Sequence, residues 1–133
     1  MSCKSAIYTV NSVSQPYVAN SQIPFGTVVR RFGRDCRLDG PSISLIGGGY
    51  YDVNISLSIA PTAAGEITAQ LYRDGVAVPG ALATETASAA GDLVTLPITC
   101  LVRNCGQCCS STLSLFIDAA GTPTNFATKV EKI

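Results

Sequence analysis

From Gly47 to Pro61 the chain runs through three glycines and then alternates between two kinds of side chain. Tyr51, Val53, Ile55, Leu57 and Ile59 fall on one side, and Asp52, Asn54, Ser56 and Ser58 on the other. Successive residues of a strand point to opposite faces, so this stretch predicts a long strand with one dry face and one wet face. A helix would scatter the same residues around its circumference. A strand with one dry face must be covered by another layer, and no helical period elsewhere in the chain supplies one. The cover has to come from other strands.

The rest of the sequence supplies them. Ser5 to Val13 reads as a short strand with Ala6, Tyr8 and Val10 on one face. Phe25 to Phe32 is a β-branched stretch behind Ile23-Pro24, and Ile43 to Ile46 leads into the glycines. Between these, Val18 to Gln22 reads as loop and Gly33 to Gly40 as a turn region holding Cys36. Glu66 to Tyr72 alternates with Ile67, Ala69 and Leu71 inward. Asp74-Gly75 then separates it from Val76 to Ala87, a strong hairpin signal because both residues tolerate positive φ. Val76 to Ala87 is rich in small residues and is expected at a sheet edge. Leu93 to Val102 places Val94, Leu96, Ile98, Cys100 and Val102 on one side, and Pro97 restricts it to an edge or a bulge. Thr112 to Asp118 directs Leu113, Leu115 and Ile117 inward. Ala119 to Thr124 turns the chain into a last strand, on which Phe126, Val130 and Ile133 are expected to be buried. About eight short strands punctuated by turn signals predict an all-β protein, an antiparallel two-sheet jelly-roll sandwich. Residues 21–133 are assigned to the jelly roll, and residues 1–20 to an N-terminal strand and candidate anchoring segment.

Composition narrows the function classes. The chain has 133 residues, is 47% hydrophobic and 14% charged, and carries no formal net charge. That excludes disorder and leaves a surface built mainly from Ser, Thr, Asn, Gly and Ala, which suits packing into an assembly. Arg30, Arg31, Arg34 and Arg37 form the sole basic cluster. Only Phe32 is interleaved with it, and Asp35 and Asp39 offset half its charge, so no nucleic-acid partner is expected. No apolar run reaches the roughly 18 residues of a membrane helix. The first residues lack the basic and apolar segments of a signal peptide. No membrane partner is expected, and a surface location would follow from assembly in the cytoplasm.

Candidate chemistry is sparse. Cys100, Cys105, Cys108 and Cys109 lie within ten residues, with Cys36 and Cys3 distant. A Cys-x2-Cys pair beside two further thiols could hold a tetrahedral zinc, but the usual two separated pairs are missing, and no metal or other cofactor is favoured. The alternatives are free thiols or a disulfide, for instance from the cluster to Cys36 or between subunits. The sequence has no histidine, which removes the commonest general base and the Ser–His and Cys–His dyads. Asp52, Glu66, Asp74, Asp92 and Asp118 are scattered over turns and wet faces, so no catalytic residue is assigned and no enzymatic activity is expected. Gly47-Gly48-Gly49 lacks the Gly-Lys-Ser/Thr ending of a phosphate loop and leads into a strand, so its role is conformational. Tyr50 and Tyr51 are candidates for stacking on a sugar, with Tyr51 expected in the core.

The residues Gly49-Tyr50-Tyr51-Asp52-Val53, the turn Tyr72-Arg73-Asp74-Gly75, the strand Leu113 to Asp118 and the last strand ending at Ile133 resemble the complement globular-head and tumour-necrosis-factor-like jelly-roll superfamily. The likeness is to its short bacterial and phage forms, the heads of exosporium collagen-like filaments and of phage head fibres and decorations. It extends from about Ile23 to Ile133, without a preceding collagen-like repeat. The resemblance implies a homotrimer packed around a three-fold axis. In it Gly49, Tyr51, Val53, Ile55 and Leu57 form a central strand, Asp74 and Gly75 a turn, and Phe126 and Ile133 the closing strand, with Cys36, Cys105 and Cys108 as structural thiols. The expected role is a structural or adhesion head on a virion or spore surface. The alternative is a module binding a host-surface glycan or receptor through the loops Gly33–Pro41, Asn104–Ser110 and Ala119–Thr124. A thiol-dependent metalloprotein is a third reading.

Overall fold

The computed structural model describes residues 4–104 and 110–133, and within them the regular structure is all strand. The elements are β1 (Ala6–Asn11), β2 (Ser21–Ile23), β3 (Thr27–Phe32), β4 (Cys36–Asp39), β5 (Ser42–Leu45), β6 (Gly49–Pro61), β7 (Gly65–Arg73), β8 (Val76–Ala87), β9 (Val94–Asn104), β10 (Ser111–Ile117) and β11 (Gly121–Lys132). They form two antiparallel sheets. One has the order β3-β1-β11-β6-β9, and the other β4-β5-β10-β7-β8, with β2 also pairing β10. The protein is a two-sheet jelly-roll sandwich.

The alternation of β6 is realised in full. Tyr51, Val53, Ile55, Leu57 and Ile59 are buried between the sheets. The strand runs between β11 and β9, so its backbone is paired on both sides. The facing layer comes from Ile67, Ala69 and Leu71 of β7 and Leu113, Leu115 and Ile117 of β10, all buried. Phe25 and Phe126 close one part of the core with ring centroids 5.2 Å apart. Fully burying one such side chain is worth about 1.5–3 kcal/mol, so this single continuous core is the main source of stability. The Asp74-Gly75 turn has φ of 52° and 82°, the left-handed pair that a two-residue hairpin matched to the strand twist requires. Both predicted edge strands are at edges: β8 ends the second sheet and β9, with Pro97, ends the first.

Other expectations are corrected. In β1, Ala6, Tyr8 and Val10 share one face as expected, and the buried face is the other one, Ile7, Thr9 and Asn11. This strand, assigned from sequence to a separate N-terminal segment, lies inside the five-stranded sheet between β3 and β11. The segment 33–40, read as a turn, contains β4, which pairs with β5 and buries Cys36. Likewise β2 forms where a loop was expected, extending one flank of β10 beyond the end of β5. β3 mixes Val28, Val29 and Phe32 with Thr27, Arg30 and Arg31, and every one of its residues is exposed at the sheet edge, where it pairs only with β1. Ile133 is 71% exposed, not buried. Its backbone N–H is held by the Tyr50 carbonyl at 3.0 Å, which anchors the main chain just past β11 and leaves the side chain outside the sandwich.

Candidate functional site

Three surfaces emerge from this framework: a polar plug at one end of the sandwich, and the outer face of each sheet. The plug forms where the start of β1, the turn into β4, the Gly47–Gly48 bend and the ends of β9 and β11 meet. Asp35 Oδ2 accepts a hydrogen bond from Ser5 Oγ at 2.8 Å and pairs with Lys132 Nζ at 3.4 Å, both side chains being mostly buried. Tyr51 donates its hydroxyl to the Gly47 carbonyl, and Asn104 Nδ2 donates to the same carbonyl at 3.0 Å and to that of Leu45 at 3.2 Å. Ser111 Oγ donates to Asn104 Oδ1 at 2.9 Å. A Cβ at Gly47 would sit 1.8 Å from Asp35 Oδ1, so only glycine fits there. Gly49 begins β6 opposite Asn104. The plug satisfies the polar groups at this end of the core.

The surroundings of Cys36 and Cys100 favour the protonated thiol. Burial, and secondarily the neighbouring Asp35 carboxylate, pushes the Cys36 thiol up to about 12. Burial and then Asp52 push Cys100 up to about 11. A thiol at these values is almost entirely protonated at neutral pH, and the thiolate is the nucleophile and metal ligand. Burial and the charge of Asp35 also raise the Tyr51 phenol well above its ordinary value. Cys36 and Cys100 are both unbridged. Cys3, Cys105, Cys108 and Cys109 lie outside the described residues, and with them most of the proposed zinc set and the far side of any bridge to Cys36. Among the described residues no group of three metal-ligating side chains converges.

The outer face of the five-stranded sheet follows from the strand register. Phe32, Ala6, Glu131, Asp52 and Leu101 stand abreast across the five strands. The next row is Arg30, Tyr8, Lys129, Asn54 and Thr99, and the next Thr27, Val10, Ala127, Ser56 and Pro97. A shallow hollow of about 410 Å³ lies over the second and third rows, against Tyr8, Pro97 and Ala127. A second, of about 470 Å³, lies toward Val29 and Phe32. Exposed large apolar side chains concentrate here. Tyr8, Val29, Phe32, Tyr50 and Leu101 belong to this sheet, and Val28 is exposed on its other side, opposite Thr9; among the described strands of the second sheet the exposed large apolar residues are Val76 and Leu82.

The second sheet presents a different surface. Tyr72 of β7 and Phe116 of β10 meet edge to face, with centroids 5.1 Å apart at 77°. They are diagonal neighbours, since Tyr72 pairs with Ser114 and Phe116 with Gln70. A bulge between Gln70 and Tyr72 marks the same place on the β8 side. Around the rings lies an open groove of about 500 Å³, lined also by Asn20, Thr68, Gln70 and Asp118. Sequence reading passed over this site because its residues are spread from position 20 to 118. The available signal was an aromatic on the wet side of two strands whose dry sides, Leu71 and Leu115, were already assigned inward. Of the loops proposed for a ligand, 33–41 contains the strand β4 and 119–124 is mostly the start of β11. Loop 104–110 falls mainly outside the described residues.

No protein-family model matches the sequence, and no curated protein matches it. Solved structures do. The Eiger TNF of S. frugiperda superimposes with a TM-score of 0.72 at 8% identity, over 98% of this chain and 92% of that one. The globular domain of zebrafish complement 1qA protein gives 0.66 at 8% identity, over 96% and 95%. The fold is therefore the tumour-necrosis-factor-like jelly roll that the sequence motifs suggested. Vertex protein P5 of phage PRD1 shares it as well, with a TM-score of 0.61 at 18% identity over 100% of this chain and 99% of that one.

Proposed function

We propose that this chain is a non-enzymatic homotrimeric head of a virion surface, a capsid decoration, head fibre or tail tip that serves in assembly or adhesion. The observation that carries this reading is the concentration of exposed apolar side chains on the outer face of the five-stranded sheet. Phe32, Ala6, Tyr8 and Val29 lie together beside one hollow at the β3 side of this face, and contiguous exposed apolar patches mark interaction sites. Packing the edge of a neighbouring protomer against Tyr8 and the hollow beside it would cover the patch, and a three-fold rotation closes that contact without leaving a free end. The chain's low charge suits burial in such an assembly. The likeness to a phage vertex protein supports a virion over a spore surface. Native mass measurement of the full chain at micromolar concentration is the test. A species three times the 13.8 kDa chain mass is expected, and a monomer would overturn the reading.

A saccharide-binding role is the second reading. It is favoured by one observation, the aromatic and polar groove on the sheet that such a trimer leaves open.

A further inference from the structure

We infer that the groove between β7 and β10 is a binding site for a neutral saccharide, with Tyr72 and Phe116 as the stacking platform and Asp118 as the principal acceptor. The inference rests on the saccharide-binding reading and gives it a place and a chemistry. It does not depend on the trimer, because every lining residue comes from one protomer.

The groove, at about 500 Å³, falls in the range of about 300–1,000 Å³ typical of small-molecule sites. Its polar groups are fixed before any ligand arrives. Asp118 is clamped to Thr68 in both directions: its Oδ1 accepts the Thr68 N–H at 2.7 Å, and its own N–H donates to the Thr68 carbonyl at 3.1 Å. Its second carboxylate oxygen has no partner among the described residues. Gln70 commits its amide nitrogen to the carbonyls of Leu71, Val78 and Ala81 at 2.9, 3.0 and 3.1 Å, which leaves Oε1 as a fixed acceptor. Asn20 is held by its N–H to the Ile117 carbonyl at 2.8 Å, with a φ of 61°. The side-chain amide of Asn20 and the hydroxyl of Tyr72 make no hydrogen bond among the described residues.

This set selects a ligand class. Among the described residues Asp118 is the only charged one lining the groove, so a phosphate or carboxylate ligand would meet a like charge there. A wholly apolar ligand would strip water from Asp118 and Gln70 and return no hydrogen bond, which costs about 1–3 kcal/mol per group. A sugar ring has an apolar C–H face to lie on an aromatic ring and hydroxyl donors around its edge for the fixed acceptors. Asn20 and Tyr72 can both donate and accept, and so accommodate the remaining hydroxyls.

The test uses the full chain and ligand-observed saturation-transfer NMR with glucose, galactose, mannose, N-acetylglucosamine and their disaccharides at millimolar concentration. At least one neutral sugar is expected to bind. Tyr72→Ala should abolish the signal, and Asp118→Asn should weaken binding roughly fivefold or more by replacing a charged acceptor. Asp118→Asn keeps an oxygen for the Thr68 N–H, so a folded variant is available even if Tyr72→Ala fails to fold. Binding that survives both substitutions, or that is lost only in Tyr50→Ala on the other sheet, overturns the groove while sparing the saccharide reading. No binding by any of these sugars overturns both.

Discussion

Thr9 and Thr128 stand directly opposite each other in the β1–β11 pair, facing into the sandwich with both hydroxyls buried and without a hydrogen-bond partner among the described residues. An unsatisfied buried hydroxyl costs about 1–3 kcal/mol, whereas an apolar group of the same shape carries no such penalty. The double substitution Thr9→Val/Thr128→Val is therefore expected to raise unfolding free energy by about 1–2 kcal/mol. Urea denaturation with an unchanged m-value checks it, and a loss of stability would mean that the two hydroxyls are satisfied in solution.

Gly47 and Asp35 should be energetically coupled. Gly47→Ala forces a methyl group onto the Asp35 carboxylate and disturbs its contacts to Ser5 and Lys132, at an expected cost of about 2–3 kcal/mol. Asp35→Ala, which leaves Lys132 without its carboxylate, should cost about 1–3 kcal/mol. In the double mutant the steric cause is gone, so the combined loss should fall short of the sum by at least about 1 kcal/mol. A double-mutant cycle in urea measures this, and strict additivity would contradict the close approach.

Alkaline pH should destabilise the fold through Cys36. Its thiol ionises near its usual value of 9.0 when unfolded but is held protonated to about 12 when folded. Between these values the unfolded state has released a proton that the folded state retains, so stability falls as pH rises. The slope contributed by this group approaches about 1.4 kcal/mol per pH unit. Cys36→Ala will lower stability at pH 8 by leaving a small cavity, yet its decline from pH 9 to 11 should be shallower than that of the wild type. Equal slopes in urea titrations would show that the thiol is not protected by folding.

Association should be sensitive to one sheet and not the other. Tyr8→Asp or Leu101→Asp places a charge on the outer face of the five-stranded sheet, beside Lys129 or Asp52 respectively. Each is expected to shift the chain to monomer in sedimentation at micromolar concentration. Val76→Asp, on the second sheet, should leave the mass unchanged. Dissociation by Val76→Asp alone would relocate the interface.

The parts of this fold that were legible in the sequence are those governed by local rules. The two-residue period of β6, β7, β9 and β10 survives because each strand has one side against a core and the other in water. The Asp74-Gly75 turn is legible because few residue pairs adopt its geometry. What escaped depends on distant neighbours. Gly33 and Gly40 enclose a segment so short that β4 resembles a turn until β5 is there to pair with it. β3 was legible as a β-branched strand, but its place at the sheet edge depends on which strands pair with it. In β1 the alternation placed Ala6, Tyr8 and Val10 together without saying which side meets the core, and the core takes Ile7 and two polar residues. The candidate groove was the least legible of all, since Asn20, Tyr72 and Asp118 become neighbours only after the second sheet has formed.

The pairing of β1 with β11 sets Ala6 beside Glu131, and the Lys132 N–H donates to the Ser5 carbonyl at 2.8 Å. The first and last strands thus leave the sandwich at one pole, the same pole as the Asp35–Lys132 plug. A tether or fused partner at either end would emerge there, with the opposite pole, where residues 62–64 and 88–92 turn, pointing away from it. The molecule has a base and a tip written into its strand order, so it can be displayed from a scaffold by either end without changing which way it faces.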